Sequence, residues 1–185
     1  MASYIFITGA SSGFGESTAR LFASKGYSLV LLARRKERLE ALVSELPSAI
    51  ETHILVADVR NEEQVHKAID GLPKKVKDGL SILVNNAGLA VGKGPIDSGL
   101  SDDWDRMVDT NIKGLLYVTR AVIPILKANG KGHIINIASI AGKEVYPGGN
   151  VYCATKHAVD ALSRAMRIDL VNYKIRVSNL APGAA

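Results

Sequence analysis

Cysteine is nearly absent: Cys153 is the only one in 185 residues. That excludes a disulfide framework and a thiolate metal cluster, and it fits a reducing, cytoplasmic setting. The four histidines show no paired ligand spacing, so no metal is expected. Aromatic residues make up 5% of the chain, and its basic residues are interleaved with acids. The net charge of +5 therefore points to an anionic small ligand and away from nucleic acid, whose binding modules are basic or aromatic-rich. No apolar run approaches the roughly 18–20 residues a membrane span requires, and the N-terminus enters a strand pattern at once. No membrane partner is expected.

A 47% hydrophobic composition without internal shifts suits one well-cored domain over 1–185. Its first apolar run, Tyr4 to Ile7, stops at Thr8-Gly9-Ala10-Ser11-Ser12-Gly13-Phe14-Gly15. Helical spacing follows at Thr18, Leu21, Phe22 and Lys25, with Gly26 as the stop. Strand, glycine loop and helix together bind a pyrophosphate, because the backbone approaches closely and the helix N-terminus attracts the anion. The spacing is G-x-x-x-G-x-G, not the commoner G-x-G-x-x-G.

The second run, Leu29 to Leu32, leads into Arg34 and Arg35 and then a helix bearing Leu39, Leu42, Val43 and Leu46. An NAD-type site carries an acid about 20 positions past the glycine loop. Arginines stand there instead, where they oppose the helix dipole and suit a 2′-phosphate. NADP(H) is expected over NAD(H). Strand three, His53 to Val56, ends at Asp58-Val59. Two roles for Asp58 stay open, acceptor for an adenine amino group or N-cap of the helix carrying Val65, Ala68, Ile69 and Leu72. The segment Pro73 to Gly79 reads as a solvated connector. Ile82-Leu83-Val84 leads into Asn85-Asn86-Ala87-Gly88, whose amides shape the cleft. Leu89 to Gly99 reads as a loop.

On the next helix Trp104, Met107, Val108, Ile112, Leu115, Leu116 and Thr119 form one stripe that includes Asn111. An amide facing a core needs partners, which leaves a hydrogen-bonded structural residue and a water-holding active-site residue equally open. Gly132 to Ala138 is strand five, with Ser139 at its end. A loop, Gly142 to Gly149, then precedes a helix with Tyr152 and Lys156 one turn apart on one face. A phenol beside an ammonium makes an acid/base for near-neutral pH. Ile175 to Ser178 is strand six. Apolar runs alternating with helices argue for a parallel sheet covered on both faces. Ser12, Arg34, Asp58, Asn85 and Ser139 all follow strands, so one crevice at the carboxyl edge collects them.

The pattern Thr8-Gly9-x-x-x-Gly13-x-Gly15, Asp58, Asn85-Asn86-Ala87-Gly88, Asn111, Ser139, Tyr152-x-x-x-Lys156 and Pro182-Gly183 resembles the short-chain dehydrogenase/reductase family. It is most similar to that family's NADP-dependent serine/3-hydroxy acid dehydrogenase group. The resemblance implies an α/β fold: a Rossmann-type doubly wound parallel sheet in strand order 3-2-1-4-5-6, with a seventh strand and a substrate-covering segment beyond Ala185. It implies a catalytic set of Asn111, Ser139, Tyr152 and Lys156, with hydride exchange between a nicotinamide and a hydroxyl or carbonyl carbon. Tyr152 would donate or accept the proton and Ser139 would polarise the substrate oxygen, while Lys156 holds the ribose and lowers the phenol pKa. Asn111 would support a water-linked relay. Moving a phenol from about 10 to about 7 takes roughly 4 kcal/mol, which one ammonium at about 4–5 Å supplies at an effective dielectric near 20.

Cofactor contacts are implied for Gly9, Ser11, Ser12, Gly13, Phe14, Gly15, Arg34, Arg35, Asp58, Val59, Asn85, Ala87, Gly88, Pro182 and Gly183, besides Tyr152 and Lys156. Substrate contacts are expected at Ser139 and Tyr152. Lys143 and Tyr146 have two readings, contacts to a substrate carboxylate or plain surface residues. The resemblance also implies a homodimer or homotetramer formed through the helices starting near Ser101 and Tyr152. A broad carbonyl, steroid or 3-oxoacyl reductase, and a non-catalytic NADP-binding sensor, remain as alternative functions.

Overall fold

A computed structural model of the chain describes residues 3–183. Its centre is a sheet of six parallel strands: β1 (Tyr4–Thr8), β2 (Ser28–Ala33), β3 (Thr52–Val56), β4 (Leu80–Asn85), β5 (Gly132–Ile137) and β6 (Ile175–Leu180). Their order is β3-β2-β1-β4-β5-β6, the doubly wound arrangement expected. Side chains along β1 and β2 alternate between two cores. Phe6, Val30 and Leu32 join the core on one face, and Ile5, Ile7, Leu29 and Leu31 the core on the other. Each of these is at most 1% exposed, and full burial of one such side chain contributes about 1.5–3 kcal/mol. Both faces being dry explains why these strands read as unbroken apolar runs.

One face is covered by α1 (Gly13–Ser24) and α2 (Lys36–Ser44). The other is covered by α3 (Glu62–Asp70), α6 (Leu115–Ala128) and α7 (Asn150–Leu170). The stripe expected on α1 is wrong in detail. Leu21 is 59% exposed, and Ala19 and Ala23 with Gly15 are the buried positions. Small residues let α1 lie close on the sheet, so its contact face carries little hydrophobic signal. The supposed connector after Pro73 is a short helix, α4 (Lys74–Gly79), anchored by buried Val76. The N-cap of α3 is Asn61, whose side chain accepts from the Gln64 N–H, so Asp58 does not cap it.

Helix α5 (Ser101–Val108) runs through a π-turn, Asp109–Gly114, directly into α6. The π-turn inserts one residue into the helical register. Beyond it the buried positions are Leu115, Val118, Thr119, Val122 and Leu126, while Leu116, expected on the stripe, turns outward. The sheet order reverses between β1 and β4, which opens a crevice at their carboxyl ends.

Candidate active site

The loop after β1 is held by interlocking backbone. Gly9 and Gly13 adopt φ of +65° and +58°, a region that favours glycine. A Cβ on Gly15 would sit 2.4 Å from the Gly9 carbonyl oxygen, and one on Gly9 would sit 2.8 Å from Ala87 Cα. Asn86 Nδ2 donates to the carbonyls of Thr8 (3.0 Å) and Gly9 (3.2 Å), and Thr8 Oγ1 accepts from the N–H groups of Asn86 and Ala87, each at 3.0 Å. Ser12 caps α1 without a side-chain bond to its first turn. That leaves N–H groups and the positive end of the helix dipole facing the crevice.

Two adjoining clefts make up the crevice. The first, about 320 Å³, is lined by Gly9, Ser11, Ser12, Phe14, Arg34, Arg35, Asp58, Val59, Ala87 and Gly88 among the expected contacts. Arg35 Nη2 donates to the hydroxyls of Ser11 and Ser12, both at 3.1 Å. Arg34 lies 3.8 Å from the Asp58 carboxylate, which also accepts two-pronged bonds from Arg60. The guanidinium beside it holds the Asp58 carboxyl below its ordinary range, although burial pulls the other way.

The second cleft, about 230 Å³, is lined by Phe14, Gly88, Ser139, Tyr152, Lys156, Pro182 and Gly183. Phe14, Asn86, Gly88 and Leu89 line both clefts, so the two are continuous. The one charged side chain lining this second cleft is buried. Lys156 is 6% exposed, and burial pushes its ammonium down to about 8. Its Nζ donates to the Ile137 carbonyl at 2.9 Å and stands 5.7 Å from the centre of the Tyr152 ring. Ser139 Oγ accepts from the Ala141 N–H at 3.1 Å and points its own hydrogen towards the Pro182 carbonyl, 3.5 Å away. The Ser139 turn packs directly on α7, since a Cβ on Gly142 would lie 2.6 Å from the Lys156 carbonyl.

Four expected residues stand outside both clefts. Asn85 is a correction. Its amide is buried, donating to Thr119 Oγ1 (2.8 Å) and Asn136 Oδ1 (2.9 Å) beneath the crevice, because alternation along β4 turns it inward and leaves Asn86 on the cleft wall. Gly13 and Gly15 shape the loop without lining it. Asn111 is 2% exposed. Its Oδ1 accepts from Leu89 N (2.7 Å), and its Nδ2 donates to Leu89 O (2.8 Å) and Thr155 Oγ1 (3.0 Å). These are the partners that the hydrogen-bonded structural reading of this side chain requires. Lys143 is paired with Asp160 at 2.6 Å, and Tyr146 is half exposed.

Sequence reasoning missed Arg60, Arg106 and Thr110, all of which line the first cleft. Arg60 had a usable signal, as a cation just past a strand end like Arg34. Arg106, on α5, and Thr110, in the π-turn, had none, since only tertiary packing, α5 against α7 included, brings them there.

Glycine cradle, bare helix N-terminus, arginines after β2 and an edge-of-sheet crevice define a Rossmann-type dinucleotide-binding protein. The chain belongs to the short chain dehydrogenase family, whose pattern it matches over residues 3–185. It is 46% identical to sulfoacetaldehyde reductase 2 of Chromohalobacter salexigens, over all of this chain and 73% of the relative. It is 45% identical to the NADP-dependent 3-hydroxy acid dehydrogenase YdfG of Salmonella typhi, over 97% of this chain and 71% of that one. Among solved structures, the closed form of serine dehydrogenase complexed with NADP+ superposes with a TM-score of 0.91 at 43% identity, over 97% of this chain and 71% of the other.

Proposed function

We propose that the chain is an NADP(H)-dependent oxidoreductase that exchanges a hydride with the hydroxyl or carbonyl carbon of small 3-hydroxy acids, serine-type compounds among them. The observation carrying this reading is the continuity of the two clefts. A cation-lined cradle suited to a 2′-phosphorylated dinucleotide runs into a cleft with a phenol, a serine hydroxyl and a buried ammonium. Bound NADP(H) supplies the hydride chemistry. In this mechanism Tyr152 gives its phenolic proton to the substrate oxygen during reduction and takes one during oxidation. Ser139 Oγ hydrogen-bonds the same oxygen and fixes its place. Lys156 holds positive charge near the phenol and binds the ribose hydroxyls. Asn111 acts through position. It ties Leu89, on the cleft wall, to Thr155, which itself donates to the Tyr152 carbonyl at 2.8 Å. The π-turn containing Asn111 is where the water of a proton relay would sit, since such turns recur at functional sites.

The dehydrogenase relatives favour hydroxy acids, and the sulfoacetaldehyde reductase adds a second reading, a short aldehyde bearing a sulfonate. Both place an anionic head beside the reacting carbon. The assay follows NADPH absorbance in both directions with serine-type hydroxy acids, sulfonated aldehydes, plain ketones and acyl ketones. Turnover confined to the anionic short-chain compounds is expected. Equal turnover of bulky neutral ketones would replace this reading with a broad carbonyl reductase. Tight NADPH binding with no turnover would make the chain a sensor.

Assembly belongs to the same proposal. Ala154, Ala161 and Ala165 expose small side chains along α7, and Leu116 faces outward on α6, surfaces that suit close helix packing in a homodimer or homotetramer. Sedimentation would return a monomer mass if this is wrong. A cytoplasmic setting accords with the lone thiol of Cys153, buried in α7. No helix among the described residues is long and apolar enough to cross a membrane.

A further inference from the structure

The first cleft holds a conflict that NADP(H) binding has to resolve. Asp58 and Arg34 share its rim, with Asp58 Oδ2 3.8 Å from Arg34 Nη1. A carboxylate that close to a phosphate-binding guanidinium competes with the phosphate for it. Left alone, Asp58 would draw the mostly exposed Arg34 into a full ion pair. It would then neutralise the charge that distinguishes a 2′-phosphate from a ribose hydroxyl.

Arg60 prevents this. Its backbone N–H donates to Asp58 Oδ1 at 3.0 Å, its Nε to Oδ1 at 3.1 Å and Oδ2 at 3.0 Å, and its Nη2 to Oδ2 at 2.7 Å. The Asp58 backbone is pinned too, its N–H donating to Gln64 Oε1 at 3.0 Å. The carboxylate is therefore saturated from the α3 side, and Arg34 stays at ion-pair distance without a hydrogen bond to it. Arg60 is itself poorly suited to attract a phosphate. Besides Asp58, the acids Asp102 and Asp109 face it from the α5 end. The neighbouring Arg106 is likewise occupied, by Asp103 at 3.2 Å and Asp102 at 3.7 Å.

We propose that Arg60 is a positioning residue for cofactor choice: by occupying the Asp58 carboxylate it leaves the Arg34 guanidinium free for the 2′-phosphate, and so sets the preference for NADPH over NADH. This rests on the reading of Arg34 as a 2′-phosphate contact.

The test titrates the full chain with NADPH by fluorescence, with NADH measured by competition, in four variants whose folding is checked by circular dichroism. Arg34→Gln establishes the contact, by weakening NADPH and not NADH. Arg60→Gln is expected to weaken NADPH about tenfold while leaving NADH within about twofold, and Arg60→Lys, which keeps an ion pair, to retain most of the discrimination. In the Asp58→Asn/Arg60→Gln double variant the competing charge is gone, so discrimination returns relative to Arg60→Gln alone. Equal loss of both nucleotides in Arg60→Gln, or no loss of either, overturns the proposal. A double variant that still discriminates no better than Arg60→Gln makes Arg60 a direct contact and overturns it as well. If Arg34→Gln leaves NADPH binding intact, the reading of Arg34 fails instead, a result visible without reference to Arg60.

Discussion

At one end of the crevice Arg34 keeps 64% of its side chain in solvent; at the other, Lys156 is 6% exposed and its pKa is pushed down to about 8. Charge in the open recognises an anion at little cost to the fold, and salt screens it. Charge under cover responds strongly to its surroundings and strains the fold, because a buried ammonium gives up hydration. In the proposed mechanism the first kind binds and the second reacts.

The largest effect expected separates these ends cleanly. Tyr152→Phe removes the exchangeable proton and little else, so kcat should fall by about 10³-fold or more while the Kd for NADPH stays within about twofold. Single-turnover kinetics beside a binding titration measures both, and a variant that keeps its turnover removes Tyr152 from the mechanism.

Next comes Lys156→Met, which should abolish most turnover yet stabilise the fold. In the native chain the lysine pKa drops on folding from its ordinary 10.5 to about 8. Below pH 8 both folded and unfolded forms carry the charge, so the folded state bears the full desolvation penalty; between pH 8 and 10.5 that penalty fades. The variant should therefore gain about 1–3 kcal/mol at pH 7, with the gain vanishing towards pH 10.5. Denaturant melts at several pH values check it. For the native enzyme, activity that needs the ammonium should decline above about pH 8.

Smallest is Arg35→Gln. This arginine reaches the Ser11 and Ser12 hydroxyls from an exposed position, so its loss should weaken NADPH about three- to tenfold. The effect should shrink as salt is raised from 50 to 200 mM, with kcat unchanged. A salt-independent loss would mean that Arg35 shapes the loop instead of presenting charge.

The sheet was legible because both its faces are dry, which turns strands into apolar runs and their ends into a predictable edge. Ser12, Arg34, Asp58 and Ser139 could be placed from that edge alone. What escaped depended on contacts rather than composition. The face of α1 is made of Gly15, Ala19 and Ala23, whose value lies in being small. The π-turn shifts the register of α6 by one residue, which no periodicity count detects, and it moved Leu116 to the outside. Asn85 and Asn86 are chemically identical neighbours, and only the pleat decides that one braces the core while the other walls the cleft. Asn111 could not be assigned from spacing because its partners, Leu89 and Thr155, lie 22 and 44 residues away.

The glycine loop and the Asn86 strand end touch through main chain, with Gly15 so close to the Gly9 carbonyl that a methyl group has no room. Such a joint cannot be altered by degrees, since every replacement for Gly15 starts by adding the same forbidden atom. The loop ahead of α7 instead carries Val145 and Tyr146 as exposed side chains, which can be exchanged one at a time. Descent with modification therefore meets a rigid half and a pliable half in one domain. Side chains of that kind can vary without disturbing the cradle, a division that lets one scaffold change its surface while keeping its glycine loop.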